Sequence, residues 1–221
     1  MIQLWHKGVD YMLNNIEVLC HSSIRMNKEK RIYVDPFHIE ENYQDADIIL
    51  ITHSHYDHFS EEDIEKVRKA DTIIYVTEDY VENARQLGFS ENKIIGVKPN
   101  QTYYEGNMEI NTVPAYNVNK QFHPKENNWV GYILKIDGIS YYIAGDTDIT
   151  EENKKIKCDV AFVPVGGTYT MTAKEAAELV NIIKPKVAIP IHYGDIVGTK
   201  EDATTFVNSL ENGIESKILI K

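Results

Sequence analysis

Short apolar runs separated by polar, glycine- or proline-containing segments dominate the first third of the chain. Residues 16–20, 23–27 and 31–35 have the length and composition of strands, and 48–52 is an apolar run rich in β-branched residues. The four residues 27–30 are polar and join the second and third of these segments, as in a hairpin. This part of the chain therefore predicts a β-sheet.

Helix signals follow that sheet. Ser60 precedes three acidic residues, which predicts a helix N-terminus and a helix that continues to about Ala70. A further strand is predicted at 73–76 and a second helix at about 79–87, ended by Gly88 in the left-handed conformation that a C-cap requires.

The second half repeats this alternation of strands and helices. Asp137-Gly138 lies between the alternating segments 130–136 and 139–143 and predicts a hairpin with a two-residue loop. The later predicted elements are a buried strand at 159–165, a helix from the Thr172–Glu175 capping box to Lys184-Pro185, a strand at 187–191, a helix at 203–210 and a terminal strand at 218–220. Two strand-rich halves with amphipathic helices predict an α+β fold in which two sheets pack face to face.

Four potential metal ligands occur within six positions, directly after the strand predicted at 48–52. They are His53, His55, Asp57 and His58. Along a continuing strand His58 would point away from the other three, so a turn must follow the strand to bring all four together. Imidazole and carboxylate ligands suit zinc, manganese or iron. A polar turn with solvated histidines is the alternative, but this density at a strand end favours metal binding.

Composition is that of a globular protein. The chain of 221 residues, 43% hydrophobic and 26% charged, suits a single domain spanning 1–221. No apolar run approaches the roughly 20 residues that a membrane-spanning helix needs, and the N-terminus lacks the features of a secretion signal. Cys20 and Cys158 give no disulfide framework and are expected as free core thiols. We expect a cytoplasmic location.

The formal net charge of −11 bears on partners. Proteins that bind nucleic acid usually present a basic surface, because neutralising phosphates supplies most of the nonspecific affinity. Here lysines are scattered and interleaved with acids, as at 151–155. We expect a small-molecule substrate and neither a nucleic-acid nor a membrane partner, and we leave homo-oligomerisation open.

The spacing H-x-H-x-D-H at 53–58 resembles the signature of the metallo-β-lactamase superfamily. Asp146 follows the strand predicted at 139–143 and resembles the metal-bridging aspartate of that superfamily, and His192 resembles its last metal histidine. The segment around His21 is similar to the opening hairpin of a lactonase-like branch of metal-dependent hydrolases. The resemblance implies an αββα sandwich of two mixed β-sheets, with helices on the outer faces.

The resemblance also implies two metal positions. One would take His53, His55 and a third histidine, and the other would take Asp57, His58 and His192, with Asp146 shared. This chain departs from the family pattern at the third histidine, because Asn117 aligns with it. Either His123, six residues further on, supplies the imidazole, or the carbonyl oxygen of Asn117 favours a harder cation. We expect zinc or manganese as the cofactor, as one or two ions.

Four further residues are weaker candidates for a role at the site. His21 either orients substrate at the rim of the site or forms a hydrogen bond in the core, and the structural role is favoured. Thr168 and Tyr169, in a loop between a strand and a helix, either contact an anionic substrate or pack in the core. Asp35 either accepts a hydrogen bond from a metal-bound histidine or forms a turn.

Together these residues predict a metal-dependent hydrolase. A metal at such a site lowers the pKa of bound water from 15.7 to about 7, and Asp57 is the residue best placed to hold this water and carry its proton. The resemblance favours a small ester, lactone or phosphoester as the substrate. An iron-dependent redox or sulfur-oxygenating enzyme with the same ligands is one alternative, and a non-catalytic metal-binding protein is another.

Overall fold

A computed structural model describes residues 2–220, with the side chains from Gly8 onward. Within this range the α-helices are α1 (Ile2–Leu13), α2 (Glu61–Val67), α3 (Val81–Gln86), α4 (Ala173–Ile183) and α5 (Lys200–Asn208). The strands are β1 (Ile16–Cys20), β2 (Ser23–Asn27), β3 (Arg31–Val34), β4 (Ala46–Leu50), β5 (Arg68–Thr77), β6 (Ile94–Val97), β7 (Thr102–Glu105), β8 (Met108–Pro114), β9 (Val130–Ile136), β10 (Ile139–Ile143), β11 (Val160–Pro164), β12 (Val187–Ile191) and β13 (Glu215–Ser216). None of the helices in the described range has the length and apolarity needed to cross a membrane.

The strands form two mixed sheets. The first has six strands in the order β1-β2-β3-β4-β5-β6, antiparallel from β1 to β3 and parallel from β3 to β6. The second has seven strands in the order β13-β12-β11-β10-β9-β8-β7, parallel from β13 to β10 and antiparallel from β10 to β7. Both sheets are therefore of the mixed type that the family resemblance implies.

Alternating side chains along the strands create three apolar layers. Ile48 and Leu50 of β4 point into the central layer, where they join residues of the second sheet such as Tyr132 and Ile189. Ile49 points the other way, into an outer layer that includes residues of α2 and α3. A second outer layer lies between the other sheet and helices α4 and α5. This is the predicted αββα sandwich.

Element boundaries agree with the sequence analysis at most strands. The strand predicted at 48–52 lies at Ala46–Leu50, because the backbone N–H of Thr52 donates to Oδ1 of Asp35 instead of to a neighbouring strand. The helix predicted to reach Ala70 ends at Val67, since β5 begins directly after it. The last helix begins earlier than predicted because Thr199 caps it.

Two parts of the fold differ from the expectation. The terminal strand predicted at 218–220 is wrong, because β13 lies at Glu215–Ser216, and Leu219 and Ile220 are partly buried against the core without joining a sheet. The sequence analysis also did not identify α1, which contributes Met12 and Leu13 to the central layer. The assignment of residues 1–221 to one domain stays a prediction.

Candidate metal centre

The candidate ligands lie just beyond the ends of strands. Asp146 follows β10 by three residues and His192 follows β12 directly. Because β10, β11 and β12 are parallel, these two residues lie at the same edge of the second sheet. His53 follows β4 of the first sheet by three residues, and His21 lies in the turn between β1 and β2. Loops from both sheets therefore meet at one place.

A first ligand group consists of His53, His55 and His123, each of which offers a nitrogen within 4.8 Å of the others. Nε2 of His53 and Nδ1 of His55 lie 3.1 Å apart. The ring of Trp129 lies 4.9 Å from the rings of both His53 and His55. His53 and His123 are each only 1% exposed. The group therefore consists of two buried imidazoles and the half-buried His55, next to the indole ring of Trp129.

Asn117 holds His123 in this group. Its Oδ1 accepts hydrogen bonds from the backbone N–H of His123 (3.1 Å) and lies 3.0 Å from Nδ1 of the same residue. Its Nδ2 donates to the carbonyl oxygen of Tyr169 at 2.9 Å. With the Nδ1 proton directed at Asn117, Nε2 of His123 is left as an acceptor toward the centre. Of the two alternatives left open by the sequence, the geometry therefore favours His123 and gives Asn117 a supporting position.

A second ligand group consists of His21, Asp57, His58 and His192. Oδ2 of Asp57 lies 3.3 Å from Nε2 of His21, 3.4 Å from Nε2 of His58 and 3.7 Å from Nε2 of His192. Gly166 packs directly on His192, since a Cβ at that position would lie 2.4 Å from the His192 carbonyl oxygen. All four members of the group are buried.

Asp146 lies between the two groups. Its Oδ2 is 3.2 Å from Nε2 of His123 and 3.0 Å from Nε2 of His192, and its Oδ1 is 3.4 Å from Nε2 of His58. The preceding Gly145 has φ +64°, and a Cβ there would lie 2.9 Å from the carbonyl oxygen of Val130. Glycine at 145 therefore lets the chain place Asp146 where it faces both groups.

Asp35 orients the imidazole of His58 directly and that of His53 through Thr52. Its Oδ2 accepts a hydrogen bond from the Thr52 hydroxyl at 2.7 Å and lies 2.7 Å from Nδ1 of His58. The Thr52 hydroxyl in turn lies 3.0 Å from Nδ1 of His53. These contacts direct Nε2 of both imidazoles toward the centre. The position of Asp35 agrees with the predicted hydrogen bond to a ligand histidine, whereas the role of Thr52 was not identified from the sequence.

Burial keeps imidazoles of the first group neutral. The pKa of His53 lies well below its usual value, because burial disfavours the charged form and His58 adds repulsion. The pKa of His55 is lowered by burial and by His123. Since a cation binds the neutral imidazole, His53 and His55 are in the binding form at neutral pH.

The second group carries opposite charges. Burial acts to raise the pKa of Asp57, but the charge of His58 and the close approach of the His21 and His58 imidazoles hold it far below its usual value. The pKa of Asp146 is likewise well below its usual value, because His192 and His58 outweigh the effect of burial. Burial acts to lower the pKa of His58, but the surrounding carboxylates, Asp146 foremost, raise it well above its usual value. A proton on His58 therefore balances part of the negative charge of the metal-free centre.

Several buried polar atoms of the centre have no hydrogen-bond partner within the described part of the chain. They are Nε2 of His58 and His123, both ring nitrogens of His21 and His192, and Oδ1 of Asp146. Buried polar atoms without partners are costly, typically by about 1–3 kcal/mol each. Coordination of divalent cations would satisfy Nε2 of His58, His123 and His192 and Oδ1 of Asp146, and imidazoles with carboxylates are a suitable donor set for such ions. The residues thus fit a metal ion.

The three predicted substrate-binding residues differ in position. His21 is fully buried within the second ligand group, with its ring 3.9 Å from that of His192, and does not lie at the rim. Tyr169 is half-buried, and its ring packs edge-on against Phe122 at 4.7 Å. Thr168 is exposed, and a substrate contact by Thr168 or Tyr169 stays a prediction.

The chain is similar to known proteins along most of its length. Residues 15–192 match the model of the beta-lactamase superfamily domain. A relative from Thermococcus kodakarensis, named UPF0173 metal-dependent hydrolase, is 30% identical over 216 residues, spanning 92% of this chain and 95% of the relative. A crystal structure of a protein from Parabacteroides distasonis, assigned to the metal-dependent hydrolases, is 35% identical and covers 93% of each chain with a TM-score of 0.80.

A more distant structural neighbour has different chemistry. CmlA from Streptomyces venezuelae, described as a diiron beta-hydroxylase, aligns with a TM-score of 0.72 at 15% identity, over 92% of this chain and 52% of CmlA. At that identity the likeness concerns the fold alone.

Proposed function

This chain belongs to the beta-lactamase superfamily, and we propose that it is a metal-dependent hydrolase acting on a small ester, lactone or phosphoester. The observation that carries the proposal is the convergence of two buried ligand groups on Asp146, with ring nitrogens and a carboxylate oxygen that have no hydrogen-bond partner among the described residues. The names of relatives from Thermococcus kodakarensis and Parabacteroides distasonis support the same reaction class.

The donor sets favour zinc or manganese, as two ions. The first position would be held by three imidazoles, from His53, His55 and His123, which is a donor set that suits zinc. The second would be held by Asp57, His58 and His192, whose mixed donors accommodate zinc or manganese. Asp146, which faces both groups, would contact both ions.

A divalent cation bound in this way supplies acidified water and polarises a carbonyl or phosphoryl oxygen. Asp57 would hold the attacking water through one carboxylate oxygen and accept its proton, because its carboxylate lies among His21, His58 and His192, where the second ion would bind. Asp35 and Asn117 would keep the ligand imidazoles in the required tautomers.

The pairing of two lysines in the loop that carries His123 favours uncharged esters and lactones over highly charged phosphate monoesters. Lys120 and Lys125, in the loop that carries His123, are paired with Asp148 and Glu152 respectively. Both lysines thus already form ion pairs with carboxylates of this chain. A phosphate dianion would have to compete with these carboxylates for the lysines.

Metal analysis followed by a substrate panel tests this proposal. The protein is purified without added metal, its metal content is measured, and hydrolysis of esters, lactones and phosphodiesters is assayed. Asp57→Asn should retain metal and lose most turnover, while Asp71→Asn, whose side chain is 73% exposed, should behave like the wild type. Failure of the zinc- or manganese-loaded protein to hydrolyse any of the three classes, or isolation of a coloured iron protein with oxidase activity, would overturn it.

A further inference from the structure

A third group of ligand-type side chains lies outside the centre just described. Cys20 ends β1, His38 follows β3, and Asp195 follows β12. Their Sγ, Nδ1 and Oδ2 atoms approach one another, with 2.8 Å between His38 and Asp195, 3.3 Å between Cys20 and Asp195 and 3.9 Å between Cys20 and His38. The sequence analysis did not bring these three residues together, because they are far apart along the chain.

The geometry argues against a cysteine–histidine–aspartate catalytic triad. In a triad the carboxylate binds one imidazole nitrogen and the nucleophile uses the other. Here Nδ1 of His38 is the atom that approaches both Asp195 and Cys20. The three ligand atoms thus converge on one point instead of forming a chain.

Convergence on one point is what a metal ion requires. With bond lengths of roughly 2.0–2.3 Å, a tetrahedral zinc keeps its ligand atoms about 3.3–3.6 Å apart. The observed separations of 2.8, 3.3 and 3.9 Å lie around this range, so shifts of about half an ångström or less in each contact would complete the geometry. A thiolate, an imidazole and a carboxylate together suit zinc better than magnesium or calcium.

The imidazole is held in place before any ion binds. The backbone N–H of His38 donates to Oδ2 of Asp63 at 2.9 Å, and the ring of Phe37 stacks on His38 at 3.9 Å with an interplanar angle of 20°. Asp63 is itself fixed by the Ser60 hydroxyl at 2.7 Å. Less ordering entropy is therefore lost when this ligand binds a cation.

The surrounding cleft is suited to a cation. Cys20, His38 and Asp195 line it together with the acidic Glu17 and Glu40, and its described lining contains neither lysine nor arginine. Glu17 is paired with Arg25 at 2.6 Å, so Glu40 and Asp195 contribute most of the negative charge. Negative charge in a cleft raises the local concentration of cations.

We propose that Cys20, His38 and Asp195 form an accessory site for a thiophilic divalent cation of the zinc class. On binding, the Cys20 thiol releases its proton to solvent and a sulfur–metal bond forms, while the imidazole carries its proton on Nε2 and coordinates through Nδ1. Three protein ligands leave one tetrahedral position for solvent. The ion would tie together the loops that also carry His21, Asp35 and His192.

Cobalt(II) titration of the full-length metal-free protein tests the accessory site, because a cobalt–thiolate bond gives a charge-transfer absorption that nitrogen and oxygen ligands do not. We expect this band in the wild type and in Cys158→Ser, the matched control for the other free cysteine. We expect Cys20→Ser to lose the band together with about one equivalent of bound cobalt, and Asp195→Asn to weaken binding at least about tenfold through loss of a charged ligand.

The outcomes also separate this site from the proposed catalytic centre. His192→Ala should keep the charge-transfer band, since His192 is not one of the three ligands, even if hydrolysis is lost. Absence of the band from the wild type at saturating cobalt, its persistence in Cys20→Ser, or its loss in a folded Cys158→Ser would each overturn the accessory site. Circular dichroism establishes that the variants are folded, and Asp195→Asn provides the test if Cys20→Ser does not fold.

Discussion

The two ligand groups on either side of Asp146 differ in composition and charge. His53, His55 and His123 are all imidazoles, and burial keeps the first two neutral. The other group combines Asp57 with imidazoles, and its His58 has a raised pKa. In the metal-free protein His53 and His55 are therefore already in their binding form, whereas the second group must exchange a proton on His58 for a cation.

The groups also differ in how they are assembled. Two members of the first, His53 and His55, come from one short segment, and the third depends on a single amide, Asn117, for its orientation. The second group collects residues that follow β1, β4 and β12, so its geometry depends on the packing of both sheets. We expect the first position to respond most to changes in the β8–β9 loop that carries Asn117 and His123, and the second to respond to changes at three separate strand ends.

The largest expected effect is that of His192→Ala, which should abolish detectable hydrolysis. The change removes an imidazole from the second group that also lies 3.0 Å from Asp146. Metal analysis should find the ion of the second position lost and the ion of the first retained. Unchanged metal content together with full activity would remove His192 from the site.

Asp57→Asn should lower turnover by about 10²–10⁴-fold, the usual contribution of a general base. Its amide oxygen can keep part of the coordination, so metal content should fall much less than activity. Measuring both quantities on one preparation separates the two roles. If activity falls only in proportion to metal content, Asp57 is a ligand and not the base.

Asn117→Ala should weaken metal binding at the first position by roughly 10–100-fold, as expected for loss of a residue that orients a ligand. The second position should be unaffected. Asn119→Ala, an exposed asparagine in the same loop, is the matched control. Competition with a chelator gives the two affinities, and equal affinities in both variants would show that Asn117 does not support His123.

The smallest expected effect concerns pH. The pKa of His58 in the folded protein is raised above its ordinary value of 6.5. Protonated His58 therefore stabilises the metal-free protein fully at pH values below 6.5, and this stabilisation is lost as the pH rises through the raised pKa. A cation competes with that proton, so affinity at the second position should increase with pH across this window. Calorimetric titration in buffers of different ionisation enthalpy should detect proton release on binding. Affinity independent of pH there would contradict the protonated state of His58.

The site residues that could be predicted from the sequence are those that follow the ends of strands. His53, Asp146 and His192 each follow an apolar strand, and residues beyond neighbouring strand ends converge in three dimensions. His123 was left open because no periodic pattern fixes the direction of the loop between β8 and β9. The hydrogen bonds of Asn117 decide that direction, and they involve Tyr169, 52 positions away along the chain.

The fold was likewise predictable where local pattern and tertiary packing agree. The hairpin at Asp137-Gly138 and the Thr172 capping box occur where predicted. Leu219 and Ile220 have a strand-like composition, yet they are partly buried against the core without hydrogen bonding to a sheet, so composition alone predicted the wrong element. The approach of Cys20 to His38 and Asp195 depends on three separate segments of the chain and left no signal along the sequence.

Metal stoichiometry of His123→Ala tests the central claim most directly, which is that His123 completes a first metal position beside an independent second one. The measurement is made in the Cys20→Ser background, so that the accessory site does not contribute to the count. We predict about two zinc ions per chain in the Cys20→Ser protein and about one after His123→Ala, with the second position still filled. An unchanged stoichiometry after His123→Ala, or a single ion in both proteins, would contradict the account.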